Sequence, residues 1–387
     1  MPNNRNKPHK ILRLITRLNI GGPARQALLL AKKLPDNFET LLAAGNVGPN
    51  EGELVDPEVS VTKVPLVRPI DPRDDLIALT KIRRLIDSYN PSIIHTHMAK
   101  AGTLGRIAPL TKASSRPKTV HTFHGHVLEG YFSNLKSNMF RYIERQLAKR
   151  TDLFIAVSQE IKDQLIDYGI GDEAKIRVVP LGIDLSAYAQ LDIASRDQSL
   201  AKELGLGPHT PLLGMVGRLV PIKDIPTALR ALTNLEDCHL VIAGDGESRA
   251  SLESLARSMS ILDRVHFLGF RDDLANIYAG LDVVLLTSLN EGTPVSLIEA
   301  QAAGKPVIAS RVGGVTSVIE HDKTGLLVEP ADPDGLAIVI RQLLYNKTQR
   351  ELYGRAGRAK SLANFAETRL VEDITRIYLE LLGKDLT

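Results

Sequence analysis

The chain has 387 residues, 43% hydrophobic and 24% charged, with 48 Lys and Arg against 45 Asp and Glu for a formal net charge of +3. This is the balance of a globular protein long enough for about two domains of roughly 150 residues each, and it excludes a disordered or fibrous chain. One cysteine, Cys238, excludes an intramolecular disulfide framework, and no run approaches the ~20 apolar residues of a membrane span.

The N-terminal stretch MPNNRNKPHKILRLI is basic and then briefly apolar, without the long apolar core or small-residue cleavage site of a signal peptide, so a cytoplasmic protein is expected. Strand-like runs then follow: KILRLIT, ETLLAAG, SIIHTH, KTVHTFH, LFIAVS and IRVVP. Helical patterns such as PARQALLLAKKL and DDLIALTKIRRLIDSY lie between them, and this alternation predicts a parallel sheet. HTHMAK and HTFHGH put His95, His97, His121, His124 and His126 at the ends of two neighbouring strands. Their period of two is that of alternating strand faces rather than of a zinc site. Hydrogen-bonded structural histidines and substrate-facing ones both fit; His124 is singled out because it precedes Gly125, where backbone can approach a substrate, and His97 is a candidate acceptor contact. Residues 127–150 then mix Leu128, Tyr131, Phe132, Leu135, Met139, Phe140 and Ile143 with Lys136, Arg141, Arg145, Lys149 and Arg150. A core-packing helix with solvated cations and a segment lying on an anionic bilayer both suit that pattern.

Around residues 191–211 the strand pattern lapses into a polar connector with Gly and Pro, and the expected domains are 1–190 and 191–366. The second half restarts with LLGMVGR, LVIAGDG, VHFLGF, DVVLLTS, VIAS and GLLVEP. Behind LLGMVGR a loop carries Arg218 and Lys223, a fork and a point charge that suit a diphosphate. Solvated loop cations, with Lys223 paired to Asp224, are the other reading. The Gly244–Asp245–Gly246 turn permits close backbone approach, as does any tight strand-to-helix turn. No G-x-G-x-x-G fingerprint or P-loop is present, which argues against dinucleotide oxidoreductases and P-loop NTPases.

DVVLLTS runs into NEGTPVSLIEAQAAGKPVIAS, with Thr293 read as the N-cap, Pro294 as the first helical residue and Gly304 as the stop. Glu291 then lies in the loop at the strand's carboxyl end and Glu299 about two turns into the helix. Carboxylates repel phosphates but accept well from hydroxyl pairs, such as a ribose diol and a hexose. Between them the helix start at Gly292–Thr293 presents backbone N–H groups and the positive end of a dipole. The tail from about 348 to 385 reads as helices; the stretch from about 367 to 387 is expected to pack back on the first domain.

The nine-residue element from Glu291 to Glu299 resembles the Glu-(seven residues)-Glu motif of retaining glycosyltransferases of the GT-B fold, in their large fourth sequence family. VGRLVPIK, IAGDG, LGFRDD and AGKPVIASRVGGVTSVIEHDKTGLLVEPAD support the resemblance in the second half; NIGGPARQALLLAKKL, IIHTHMAKAGTLGRIA, HTFHG and DLFIAVS support it in the first. Ile222 and Asp224 depart from the pattern around Lys223, and Thr316–Ser317 departs from the more common Pro-Glu. The resemblance implies two facing Rossmann-like domains across a cleft. It implies that Glu299 binds the donor ribose and that Glu291 contacts the transferred sugar beside the Gly292 and Thr293 amides. Arg218 and Lys223 would neutralise the leaving diphosphate, Gly21 and Gly22 would form the first-domain loop beneath it, and His124 would lie beside the transferred sugar.

The expectation is therefore a retaining hexosyltransferase using a UDP-sugar, with no cofactor and no metal ion. Its acceptor would be a carbohydrate or lipid-linked glycan in surface polysaccharide or glycoconjugate synthesis. A nucleotide-sugar 2-epimerase of the same architecture and a non-catalytic nucleotide-sugar sensor are the alternatives. Residues 1–190 carry 27 Lys and Arg against 19 Asp and Glu, whereas residues 191–387 carry 21 against 26. That asymmetry fits an anionic partner for the first half, such as the inner face of a membrane, and equally an uneven surface charge without function; no nucleic acid is implied.

Overall fold

A computed structural model describes residues 7–19, 21–48, 51–67, 71–111, 116–125, 134–193 and 196–384, apart from the side chains at 110, 111 and 134–136. The chain forms two compact units, Met1–Ile183 with Glu367–Thr387, and Asp184–Ala366.

The first unit is built on β1 (His9–Arg17), β2 (Phe38–Gly45), β3 (Val61–Lys63), β4 (Ile93–His97), β5 (Lys118–Phe123), β6 (Leu153–Ala156) and β7 (Ile176–Val178). Their order is β3-β2-β1-β4-β5-β6-β7, and every adjacent pair is parallel. Both faces of β1 are covered, which is why Ile11, Leu12, Leu14 and Ile15 are all fully buried and the strand is apolar on both sides of Arg13. On one face Ile11, Ile93, Val120 and Ile155 pack against Leu370, Ile374, Ile377 and Tyr378 of the helix Glu367–Leu381. On the other, Leu12, Leu14 and Ile94 meet Ala78 and Ile82 of the helix Pro72–Tyr89. That helix starts where Asp71 accepts from the Arg73 and Asp74 amides, and it ends at Asn90 in the left-handed region. Each such buried aliphatic side chain contributes about 1.5–3 kcal/mol.

The second unit holds β8 (Leu212–Val216), β9 (His239–Ala243), β10 (Val265–Gly269), β11 (Val283–Leu286), β12 (Val307–Ser310) and β13 (Leu326–Val328). Their order is β10-β9-β8-β11-β12-β13, again parallel throughout. Leu213, Met215, Ile242, Val283 and Leu285 pack under Leu229 and Leu232 of the helix Ile225–Thr233 and under Ile340 and Leu343 of the helix Pro333–Tyr345. The helices Val295–Ala302 and Lys347–Phe365 pack closely through a glycine: a Cβ on Gly354 would stand 2.2 Å from Gly304 O. Ser361 Oγ seals the contact by donating to Ile298 O at 2.8 Å.

One expectation is corrected, and one strand lies where none was expected. The helix after β11 begins at Val295 with Pro294 as its N-cap, one residue later than the pattern of Thr293 and Pro294 predicts, because Pro294 keeps an extended ψ of 99°. β3 carries no apolar run; it is a three-residue, partly exposed edge strand paired only to β2. Among the described residues no helix is long and apolar enough to cross a membrane.

Candidate active site

The strand order reverses once in each parallel sheet: between β1 and β4 in the first unit, and between β8 and β11 in the second. In open α/β sheets the loops at the carboxyl side of such a switch point bind ligands. Gly21 and Gly22 follow β1, Arg218 and Lys223 follow β8, and Glu291, Gly292 and Thr293 follow β11; His97 instead ends β4, His124 follows β5 and Glu299 lies in the helix after β11.

In the second unit the loops after β8 and β11 are stapled together. Leu289 N donates to Ile222 O at 2.9 Å, and Thr287 Oγ1 donates to Lys223 O at 3.0 Å. Lys223 Nζ meets Glu291 Oε1 at 2.5 Å, and Ser288 Oγ donates to the same oxygen at 2.6 Å. Lys223 therefore pairs with Glu291 and not with Asp224, which accepts from Thr227 Oγ1 at 2.6 Å. Glu291 Oε2 has no partner among the described residues. Arg218 is exposed and makes no ion pair among the described residues, so its fork is available to an anion.

The backbone around these side chains is fixed by glycines. Gly244 has φ 147°, and a Cβ there would stand 1.9 Å from Gly217 O. Gly314 N donates to Glu291 O at 3.0 Å, and a Cβ on Gly314 would stand 2.0 Å from Gly292 O. Gly292 is exposed, and a Cβ there would meet nothing within 4 Å, so a ligand can approach its amide and that of the half-buried Thr293. Glu299 lies 6% exposed on the helix behind this loop. Its Oε2 accepts from Tyr278 Oη at 3.1 Å, which supplies the partner a buried carboxylate requires. Burial first, and the Glu299 charge after it, pushes the Tyr278 phenol well up, so it stays a donor.

In the first unit Gly21 caps the helix Gly22–Lys33, and a Cβ at Gly22 would again meet open space. Across the switch point His97 ends β4, followed by Met98 at φ 66° and ψ 158°, a conformation costly for a residue with a side chain. His124 follows β5 and is half-buried, and its Nε2 lies 2.9 Å from His97 Nδ1. His97 itself is fully buried, with Nε2 3.0 Å from Arg13 Nη1. His97 is the residue expected as an acceptor contact; its ring is buried and both ring nitrogens have partners, one of them His124. His95 and His121 are likewise buried, in hydrogen bonds to Tyr378 and Thr122 and to Thr96. Desolvation, reinforced by neighbouring cations, lowers the pKa of His95, His97 and His121 well below the ordinary imidazole value; desolvation alone lowers that of His124. The cluster is therefore neutral at pH 7, and the cation it surrounds is Arg13. No group of three or more His, Cys, Asp or Glu side chains suited to a metal ion occurs among the described residues. His126 lies outside the described residues.

Residues 197–360 match the glycosyl transferases group 1 family, and residues 20–187 match glycosyltransferase family 4. The chain is 30% identical over 371 residues to the Escherichia coli UDP-Gal:alpha-D-GlcNAc-diphosphoundecaprenol alpha-1,3-galactosyltransferase, covering 94% of each chain. It is 28% identical to N-acetyl-alpha-D-glucosaminyl L-malate synthase of Bacillus anthracis, over 81% of each chain. Among solved structures, Anabaena HepE in complex with UDP superposes with a TM-score of 0.81 at 22% identity, covering 96% of this chain and 100% of that one.

Proposed function

The chain belongs to the glycosyl transferases group 1 family and is a glycosyltransferase of the GT-B fold, and from that premise we propose that it moves a hexose-type sugar from a UDP-sugar to an acceptor hydroxyl with retention of configuration. The single observation that carries this reading is the stapled switch point of the second unit. There an exposed Arg218 and the Lys223–Glu291 pair stand beside the open loop at Gly292 and Thr293 that leads into the helix Val295–Ala302. The E. coli relative is named for a UDP-Gal donor, and HepE is seen with UDP; both support a uridine donor.

Breaking the anomeric C–O bond builds positive charge on the sugar and negative charge on the departing diphosphate. Catalysis of that step is mostly placement and electrostatic stabilisation. Arg218, Lys223 and the Gly292 and Thr293 amides stabilise the leaving diphosphate where a metal ion would do so in other designs. Glu291 Oε1 orients Lys223, and Oε2 accepts from a sugar hydroxyl. Glu299, held by Tyr278, accepts from the ribose diol. For the first unit the proposed roles are an open helix start at Gly21 and Gly22 for a phosphate and a sugar contact for His124. With retention the acceptor hydroxyl enters on the face that the nucleotide leaves, so a leaving phosphate oxygen takes its proton.

The acceptor class is a lipid-linked or surface glycan, and the enzyme works from the cytoplasmic side of a membrane. The E. coli relative is named for a diphosphoundecaprenol-linked acceptor, which supports this reading. On the helix Asn134–Ala148, Met139 and Tyr142 are exposed, as are Lys149 and Arg150 just beyond it. Arg141 lies over the Tyr168 ring at 4.1 Å, and Arg145 Nε donates to Tyr168 O at 2.6 Å, so those two cations are partly committed to the fold. Leu128, Tyr131 and Phe132, and the side chains of Leu135 and Lys136, lie outside the described residues. A panel of nucleotide sugars, scored for slow hydrolysis and thermal shift with and without lipid-linked acceptors, tests the proposal. UDP release with formation of a glycoside supports it. A rearranged sugar nucleotide would indicate an epimerase, and binding without turnover a sensor.

A further inference from the structure

Arg13 stands in the middle of β1, and none of the roles above uses it. Its side chain is fully buried, yet among the described residues it meets no carboxylate. Its guanidinium instead lies 3.1 Å from His95 Nδ1 and 3.0 Å from His97 Nε2, and it donates to Tyr378 Oη at 3.0 Å. A buried cation with only neutral partners is costly and is not what packing alone would select.

The hydrogen-bond directions follow from the chemistry of the groups. A guanidinium can only donate, so His97 Nε2 accepts and carries no proton. A neutral imidazole with a bare Nε2 holds its proton on Nδ1. That nitrogen lies 2.9 Å from His124 Nε2, so it donates, and His124 Nε2 accepts in turn. The reverse direction, with His124 donating to His97 Nδ1, would leave His97 without any ring proton and make it an imidazolate. We infer that Arg13, acting through His97, fixes His124 in the tautomer protonated on Nδ1, so that His124 meets the substrate as a hydrogen-bond donor to an oxygen and not as a base.

The surrounding packing holds the relay in register. His95 and His97 stack with centroids 4.4 Å apart, and the His97 and His124 rings are 5.2 Å apart. Tyr378, carried in by the helix Glu367–Leu381, lies edge-on to His95 and takes part in the same network. His124 Nδ1 has no partner among the described residues, and a Cβ on the adjacent Gly125 would meet nothing within 4 Å. Arg13 and His97 are thus positioning residues, and His124 is the group that touches substrate. The ligand atom is an oxygen lone pair, either on the nucleotide's phosphates or on the transferred sugar. The inference rests on the glycosyltransfer reading for what His124 touches, but not for its tautomer.

The test is nitrogen-15 histidine spectroscopy of the full-length protein, with His124 assigned by its loss in His124→Gln. The wild type should show His124 protonated on Nδ1 and bare on Nε2. His97→Gln can still accept from Arg13 and donate to His124, so the Nδ1–H form should persist. His97→Glu pairs with Arg13 but cannot donate, so the proton should move to Nε2 and turnover should fall at least tenfold below that of His97→Gln, with donor KM little changed. Arg13→Met removes the donor at similar volume and should give a mixture of tautomers. Addition of UDP alone should shift the His124 Nδ1 signal if the oxygen is a phosphate's; a shift only with the intact UDP-sugar places it on the sugar. An Nε2–H form in the wild type, or a tautomer unchanged in both His97→Glu and Arg13→Met, would overturn the inference. A wild type with the Nδ1–H form but no sugar transfer would sink the glycosyltransfer reading and leave the relay intact.

Discussion

The two units share an architecture and a switch point, yet their carboxyl edges solve different problems. In the second unit opposite charges meet at the surface: Lys223 pairs with Glu291, and Arg218 is left exposed. In the first unit the charge is turned inward, with Arg13 fully buried among His95, His97 and Tyr378. An exposed, partly paired edge suits an anionic ligand that arrives and leaves with its charge. A buried cation among neutral rings suits the fixed orientation of a polar group. The proposed roles thus give the same fold a charge-binding edge and an orienting edge, which the sheet topology alone does not distinguish.

The largest expected contrast is in acid. Burial keeps His95, His97 and His121 neutral in the fold, while the unfolded chain protonates them below about pH 6.5. The unfolded state then binds more protons, so stability is complete above that pH and falls as the pH drops, by about 1.4 kcal/mol per pH unit for each histidine that stays neutral. Among the described histidines of the second unit, the half-buried His239 and His266 are shifted in this direction. Its lowered carboxylates, Asp197, Asp273 and Glu320, act only in a lower window, below about pH 4. Hydrogen exchange between pH 7 and 4.5 should show the first unit opening first. Earlier opening of the second unit would erase the distinction.

Next come the carboxylates of the charge-binding edge. Glu291→Gln and Glu299→Gln should each remain folded and lose roughly ten- to a hundredfold in transfer kcat/KM, the equivalent of a charged hydrogen bond of about 1.5–3 kcal/mol. Near-wild-type kinetics in both would remove the hydroxyl-reading role. Gly314→Ala tests the backbone of the same edge. Its new Cβ must displace Gly292 O, which should weaken UDP binding by about 1–3 kcal/mol while exchange protection in the first unit is untouched. Unaltered UDP affinity would mean that the Gly292 loop holds no donor. The smallest effect concerns the outer surface of the first unit. Lys149→Ser with Arg150→Ser should reduce sedimentation with anionic liposomes by ~1 kcal/mol per cation and leave neutral liposomes unaffected. Absence of binding by the wild type to either vesicle would favour a freely soluble acceptor.

How much of this could be read in the sequence depends on how far apart the partners lie. The buried strands were legible because β11 is apolar without interruption and β1 is apolar on both sides of Arg13, whereas β3 has three residues, a single neighbour and no apolar run to announce it. The candidate residues Glu291, Arg218 and Lys223 were legible as loop residues behind strands. Their pairing was not: Lys223 and Glu291 are 68 residues apart, and the nearer Asp224 was the obvious partner. Tyr278, which holds Glu299, sits in a separate helix and carries no local mark. Arg13 did leave a signal, a charged residue at the centre of KILRLIT. It passes unnoticed when the strand is scored only as an apolar run, because its meaning depends on His95, His97 and Tyr378, up to 365 residues away.

The most direct test of the charge-binding edge is a calorimetric titration of UDP in EDTA into the wild type and Arg218→Ala. If the exposed cation and helix start hold the diphosphate, UDP binds the wild type without metal, and Arg218→Ala loses about tenfold in affinity, near the 1.5 kcal/mol of one charged hydrogen bond. Binding that vanishes in EDTA and returns with Mg²⁺, or equal affinity in the two proteins, would contradict it.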